Sequence, residues 1–493
     1  MNNVLQFKYI YLLLIPELYL ITSFLMLLSF GLFHLSKQNQ LDIFKPMMIL
    51  FNLILLGEAV LMYINTPFLD YNLYYIHYSC DEKTQFFKCI LTFIFFVSNC
   101  VFLSYYKAEK LLSIELPILL FILYGAIYIV ISLNDLFLIF LFLELQALIF
   151  YGLIKHKKFS NIAIESSTKY FILSAVSSSF FIFATTYFYR FFLTTDLLEL
   201  KTIEYFPLNN SYYNLGVVFA SMLLLIGLTF KLSLFPFHFW APDVYQGAPT
   251  PIVLLLSTAS KLPLFYIFIK IYFIVLLNYN YYWCNLIFFS ALITLIVGVF
   301  GALFQSNIRR FIAYSTLVHM GFIFLNFSTT FVESAISGIL YFIVYALITL
   351  NLFAIITILR RKINNLEFVK IKDFLLIYKI NPALTISFTL VLFSLVGVPP
   401  LSGFFAKFVI FGALINSLNI FLVILIILIN VIGSVYYLNI LKEMFFKNYK
   451  KWIFLKNISL PEAIVISFLT YLNLFYIIFH PFFIYYLNNI FLN

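Results

Sequence analysis

The sequence predicts an all-α, polytopic membrane protein of about fourteen transmembrane helices, two of them broken. Three observations carry that expectation. Of 493 residues, 64% are hydrophobic and 10% charged, which is more apolar surface than a soluble domain can bury. The apolar residues fall in runs of about 20, the length that spans roughly 30 Å of hydrocarbon. Two of the runs place proline beside lysine, as expected where a helix opens onto a polar path.

The first run, Tyr9 to Leu35, follows a single cation, Lys8. It is too long for a signal-peptide core of roughly 7–15 residues and lacks a small-residue cleavage site, so it is expected to stay as the first helix. Further runs centre near Leu55, Phe96, Tyr124, Phe142, Phe180, Leu224, Tyr266, Thr294, Ile323, Val344, Phe393, Ile429 and Tyr471, the one at Phe393 being broken. The stretch from Asn65 to Gln85 is polar and reads as a solvent loop.

The loops test this order. Those after odd-numbered helices hold Lys37, Lys45, Lys107, Lys110, Lys155, Lys157, Lys158, Arg309, Arg310, Arg360, Arg361, Lys362, Lys370, Lys372, Lys379, Lys442, Lys447, Lys450, Lys451 and Lys456; those after even-numbered helices hold Lys83, Lys88, Arg190 and Lys201. Roughly twenty against four is the asymmetry of the positive-inside rule and puts both termini on the non-synthesis side. Spread this way, the net charge of +10 sets topology and does not form a nucleic-acid surface.

Cys80, Cys89, Cys100 and Cys284 show no CxxC spacing, and no glycine-rich nucleotide loop follows a strand pattern. The chain is therefore expected to bind no cofactor, cluster or metal and to carry no redox catalysis of its own. The 64 Phe and 36 Tyr are spread over every helix and read as packing, lipid contact and an interfacial belt. An excess of Phe, Tyr, Ile, Asn and Lys is what an AT-rich genome produces, in keeping with organellar synthesis.

Charges inside the hydrophobic runs are the informative exceptions: Lys169, Lys231, Lys261, Lys270, Lys407 and Glu144. Each costs at least about 2.5–3.5 kcal/mol on insertion scales, so such groups face a protein interior or a wet path. Lys270, near its helix end, reads as a snorkelling lysine. Lys169 follows Glu165 by four residues, so a helix-surface ion pair explains it as well as transport does. Lys261 and Lys407 have apolar flanks and Glu144 has no basic neighbour in sequence, which favours function.

In "LLLIGLTFKLSLFPFHFW", Lys231 precedes Pro236; in "LFSLVGVPPLSGFFAKFVIF", Pro399, Pro400 and Gly403 precede Lys407. Proline frees a carbonyl at membrane depth, and paired broken helices in two halves point to an inverted-repeat transporter. Lys231 would sit at the C-terminal end of its first half-helix, where the dipole favours a cation. Lys407 would sit in the first turns of its second half-helix, where it does not. Lys407 is thus expected to give up its proton more readily unless water or a carboxylate compensates.

"KLSLFPFHFWAPDVYQGAPTP", "STASK", "QSNIRRFIAYSTLVHMGF" and "SLVGVPPLSGFFAKF" resemble the antiporter-like membrane subunits of proton-pumping NADH:ubiquinone oxidoreductase, respiratory complex I. The wording is most similar to the subunit 2, or NuoN-type, branch, over about Asn134 to Lys442; residues 1–110 and the C-terminal helix match in hydropathy only. The resemblance implies inverted five-helix repeats, here 111–280 and 281–445, preceded by helices 1–3 (1–110) and followed by helix 14 (446–493). It implies proton-translocating roles for Glu144, Lys169, Lys231, Lys261 and Lys407. His238, beside the first break, and His319 are either relay groups or packed core histidines.

The same resemblance implies a mechanism. Glu144 would stabilise protonated Lys231 and, when drawn away by a neighbouring subunit's charge, let the proton pass toward Lys261 and Lys407. FMN, iron–sulfur clusters and ubiquinone are expected in other subunits. The expected partners are the subunit 4 antiporter-like chain, small membrane subunits and lipids, not nucleic acid, in the mitochondrial inner membrane or a bacterial plasma membrane. A multisubunit cation/proton antiporter, or a non-pumping structural subunit, are the competing readings.

Overall fold

The computed structural model describes residues 14–35, 40–66, 77–109, 111–157, 160–204, 211–273, 280–329, 332–362, 367–375, 377–417, 420–446, 455–456 and 458–492. Lys8, Lys37, Lys110, Lys158, Lys447, Lys450 and Lys451 lie outside them. Among the described residues there is no strand, only isolated β-bridges. Eleven helices among the described residues are long and apolar enough to cross a membrane, or twelve if the bent pair at the C-terminus counts as one. The expected fourteen is not met by that test. At two expected spans a break leaves pieces of 17 residues or fewer: Leu215–Lys231, Pro382–Val396 and Ser402–Asn416.

The chain divides into two compact units. The first comprises residues 1–160, 170–228 and 259–278. It contains α1 (Ile15–Leu35), α2 (Gln40–Asn65), α3 (Glu82–Glu109), α4 (Glu115–Ser132), α5 (Leu136–Ile154), most of α6 (Asn161–Phe192), α7 (Leu197–Glu204), most of α8 (Ser211–Lys231) and α11 (Lys261–Ile271). Helix α4 is the hub, packing on α1, α2, α3, α5 and α11. Phe51, Phe95, Phe121 and Tyr124 interlock at its centre with ring centroids 5.2–6.5 Å apart. The outward faces of α1 and α2 expose Leu18, Ile21, Leu25, Met26, Leu53 and Val60, an apolar surface suited to lipid.

The second unit comprises residues 161–169, 229–258 and 279–493. It contains α9 (Trp240–Gly247), α10 (Thr250–Ser257), α12 (Asn280–Leu303), α13 (Ile308–Phe327), α14 (Val332–Ile358), a 3-10 turn (Ile371–Phe374), α15 (Ile377–Ile380), α16 (Pro382–Val396), α17 (Ser402–Ser417), α18 (Ile420–Phe446), α19 (Leu460–Leu474) and α20 (Tyr476–Leu492). Helix α14 is almost wholly buried, against α10, α13, α16, α17, α19 and α20. The C-terminal segment, expected as one helix, is two, bent by 71° at Phe475.

Local chemistry fixes where helices begin. Asp135 caps α5, accepting from the amides of Phe137 (2.7 Å) and Leu138 (3.1 Å), and Asn307 caps α13 through the amide of Arg309 (3.1 Å). Each cap sits in the same backbone pairing. Leu136 N donates to Thr195 O and Leu197 N to Asn134 O, both at 3.0 Å; Ile308 N donates to Val369 O and Ile371 N to Ser306 O, both at 2.9 Å. Helices expected to be repeat counterparts therefore start by one rule.

The polar stretch 65–85 is not all solvent loop: Ser79 is buried and Tyr78 donates to Glu17 at 2.5 Å. Lys88, counted among the loops from sequence, lies within α3, buried and paired with Glu17 at 2.7 Å. The bonds to Glu17 and Tyr78 outweigh the local polarity of "SCDEKTQFFK".

Candidate functional site

In the first unit, Glu144 projects from α5 partly buried, with Oε2 lacking a hydrogen-bond partner. Two residues on, buried Gln146 donates from Nε2 to Ser260 O at 3.4 Å, so α5 touches the backbone immediately before Lys261. The run around Lys261, expected to be continuous, is interrupted at residues 258–260, with Lys261 opening α11. Lys261 is 1% exposed and its Nζ has no hydrogen-bond partner among the described residues.

In the second unit, the carbonyl of Leu254 is occupied by its own helix end. Leu254 O accepts from Ser257 Oγ (2.9 Å), Thr258 Oγ1 (2.8 Å) and Thr258 N (3.2 Å). Lys270, at the far end of α11, does not snorkel. It donates to Ile131 O and Leu133 O (both 2.9 Å) and Asn134 Oδ1 (3.1 Å), where the carbonyls at the end of α4 concentrate negative potential.

In the second unit, Lys231 closes α8 half-buried, followed by a turn region in which Leu232, Ser233 and Leu234 are fully buried. Pro236 lies within the interruption, as expected. Phe230 O, freed by the break, accepts from Trp240 Nε1 at 2.9 Å and from Ser233 N at 3.1 Å. His238 is buried beside Phe235 and Phe239, with Nδ1 unpartnered.

The segment "WAPDVYQGAP" is a junction. Arg309 donates to Ala248 O (3.0 Å) and pairs with Glu367, and a Cβ at Gly247 would meet Ser166 Oγ at 2.4 Å. Asp243, which sequence reasoning passed over, takes Lys169 at 3.1 Å and Arg310 at 3.6 Å. Lys169 also pairs with Glu165 at 2.8 Å and is 42% exposed, so the helix-surface pair is real and extended.

The second break brings Lys407 onto carbonyls. Helix α16 ends at Gly397, whose φ of +93° turns the chain where other residues would be strained. Pro399 and Pro400 lie exposed within the break. Lys407, 7% exposed, donates to Leu395 O (2.9 Å), Val396 O (2.8 Å) and Asn430 Oδ1 (2.8 Å). Three donors thus meet three acceptors. The dipole argument from sequence considered only the positive end of α17. The structure also sets this ammonium on the negative end of α16, so the carbonyls of Leu395 and Val396 and the side-chain oxygen of Asn430 compensate it.

Lys407 and His319 line one cavity of about 10 Å³, with Asn430 and Tyr437, close to the space of a single water. His319 lies 2.6 Å from Tyr341 Oη through Nδ1 and 3.2 Å from Tyr437 Oη through Nε2. It is both a satisfied core histidine and part of a hydrogen-bonded row. Asn430 and Tyr437 carried no signal in sequence, because a single Asn or Tyr in an apolar helix is common.

A family model described as NADH:quinone oxidoreductase/Mrp antiporter, TM, matches residues 133–433. The chain is 34% identical to NADH-quinone oxidoreductase subunit N of Pelagibacter ubique, covering 86% of this chain and 87% of that one. It is 31% identical to NADH-ubiquinone oxidoreductase chain 2 of Marchantia polymorpha, covering 88% of each. The fold is similar to that of a chain of respiratory complex I from Thermus thermophilus, with TM-score 0.75, 22% identity, and coverage of 95% of this chain and 99% of that one.

Proposed function

The chain belongs to the NADH:quinone oxidoreductase/Mrp antiporter membrane family, and from that premise we infer that it is a proton-translocating membrane-arm subunit of respiratory complex I. NADH oxidation by quinone is the reaction of the assembly; this chain supplies a path for protons. FMN, the iron–sulfur clusters and ubiquinone are held by other subunits. Its neighbours are the subunit 4 antiporter-like chain, the small membrane subunits and lipid. It is a multi-pass protein of the mitochondrial inner membrane or, in a bacterium, of the plasma membrane.

The observation that carries the reading is a buried ammonium on the open end of a broken helix, sharing a water-sized cavity with a histidine–tyrosine row. A lysine there is held by neutral oxygens, so its charge answers to nearby charges and is free to change hands. Glu144, Lys169, Lys231, Lys261 and Lys407 are the proton-bearing groups of the path. His238 and His319 act as relays, and the breaks at Pro236 and at Pro399 and Pro400 open the backbone around them. The common start of α5 and α13 supports repeats over 111–280 and 281–445, flanked by 1–110 and 446–493.

The test is to solubilise the source membrane in mild detergent, separate native complexes and follow this chain's peptides. Co-migration with NADH-oxidising activity is expected, and Glu144→Gln should then lower protons pumped per electron. Peptides confined to a smaller particle without that activity would move the assignment to a cation/proton antiporter.

A further inference from the structure

A buried ionisable cluster lies in the first three helices, apart from every residue of the path above. Lys88 on α3 donates to Glu17 Oε1 on α1 at 2.7 Å and to Tyr78 Oη at 3.1 Å, and its ammonium lies 4.4 Å from the centre of the Tyr128 ring. Glu17 and Lys88 thereby neutralise each other. A second carboxyl, Glu58, lies on α2, which packs on both α1 and α3, four residues before Met62, which lines a cavity with Glu17 and Lys88. Glu58 is 0% exposed, and neither of its oxygens has a hydrogen-bond partner among the described residues. Tyr19 on α1 sets its hydroxyl against Gly57, the residue before Glu58.

One ammonium cannot balance two carboxylates. With Lys88 committed to Glu17, an ionised Glu58 would be a buried charge without a donor, and such a group takes up a proton instead. A cavity of about 30 Å³, room for about two waters, is lined by Glu17, Lys88, Cys80, Thr84 and Gln85. It lies at the end where α1 and α3 begin and α2 finishes.

We propose that Glu58, with the Glu17–Lys88 pair, forms a proton-binding site in helices α1–α3 that exchanges through this cavity. Its ligand is a proton carried between two carboxyls that share one ammonium. When Lys88 turns from Glu17 to Glu58, the proton leaves a Glu58 oxygen for a Glu17 oxygen, and net charge is unchanged. The site goes beyond the path proposed above, which uses no residue of 1–110.

The test is infrared spectroscopy of the intact assembly bearing the native chain or Glu58→Gln, at neutral pH in H2O and D2O. The expected difference is loss of one protonated-carboxyl stretch that shifts in D2O. Loss of an ionised-carboxylate absorption instead would overturn the proposal. Lys88→Met gives an independent reading if Glu58→Gln does not assemble: Glu17, stripped of its partner, should add a second protonated-carboxyl stretch, and an unchanged spectrum would overturn the site. Both readings concern protonation, not pumping, so they stand apart from the assignment of the path.

Discussion

Lys261 and Lys407 are both buried lysines beside an interrupted helix, and the two interruptions treat them oppositely. At "STASK", Ser257 and Thr258 turn their hydroxyls back onto Leu254 O, and the ammonium of Lys261 finds no acceptor among the described residues. At "VGVPPLSGFFAK", the prolines supply no amide and Gly397 turns the chain away, so Leu395 O and Val396 O stay open for Lys407. What an opened helix offers a cation thus depends on whether nearby hydroxyls close it again. One lysine is saturated and the other starved.

The strongest way to break this comparison is Gly403→Ala. A Cβ there would stand 1.7 Å from Ser394 O, a backbone overlap that forces α17 off α16 and removes the bed of Lys407. Assembly of the complex should fail or fall severely, as read on native gels; normal assembly and pumping would show that the two half-helices need not touch.

Lys407→Met should abolish most pumping per electron and also destabilise the protein. It removes the donor from three oxygens, of which the buried Leu395 O costs about 1–3 kcal/mol when left unsatisfied and the two part-buried ones less. Lys407→Arg keeps the charge but cannot release a proton, so it should assemble and still not pump. Pumping by the arginine variant would mean that Lys407 is a fixed charge and not a carrier.

Lys261→Met sharpens the contrast, because it should lower pumping while leaving thermal stability unchanged or raised. Removing a buried ammonium without partners takes away a cost, on the order of a few kcal/mol. A fall in Tm matching that of Lys407→Met would show that Lys261 has partners after all. The smallest effect is expected from Thr258→Val, which deletes one of three donors to Leu254 O, at about 1 kcal/mol or less. An unchanged Tm in that variant would show that Leu254 O is served without the Thr258 hydroxyl.

Much of the site could be read from the chain because a charge in an apolar run is conspicuous: Lys231, Lys261, Lys407 and Glu144 stand out at once. The Lys169–Glu165 pair was legible too, since four-residue spacing puts both on one helix face. Asp243, Gln146, Asn430 and Tyr437 were not, because each matters through a partner 74 or more positions away or a cavity shared across helices. Lys270 and Lys88 were misread for one reason. Helix ends look solvent-facing in sequence, yet α4 carbonyls hold Lys270 and Glu17 holds Lys88.

The sequence by itself determined the all-helical membrane class, the positions of the two proline breaks and the lysines beside them. Hydrocarbon thickness, the missing proline amide and the cost of a buried charge act on any chain locally. Only the tertiary structure decided the interruption at residues 258–260, the bend at Phe475 and which lysine is saturated with acceptors. Those depend on where carbonyls and hydroxyls of distant segments point, and hydrogen bonds form over about 3 Å, a precision that spacing along the chain does not carry.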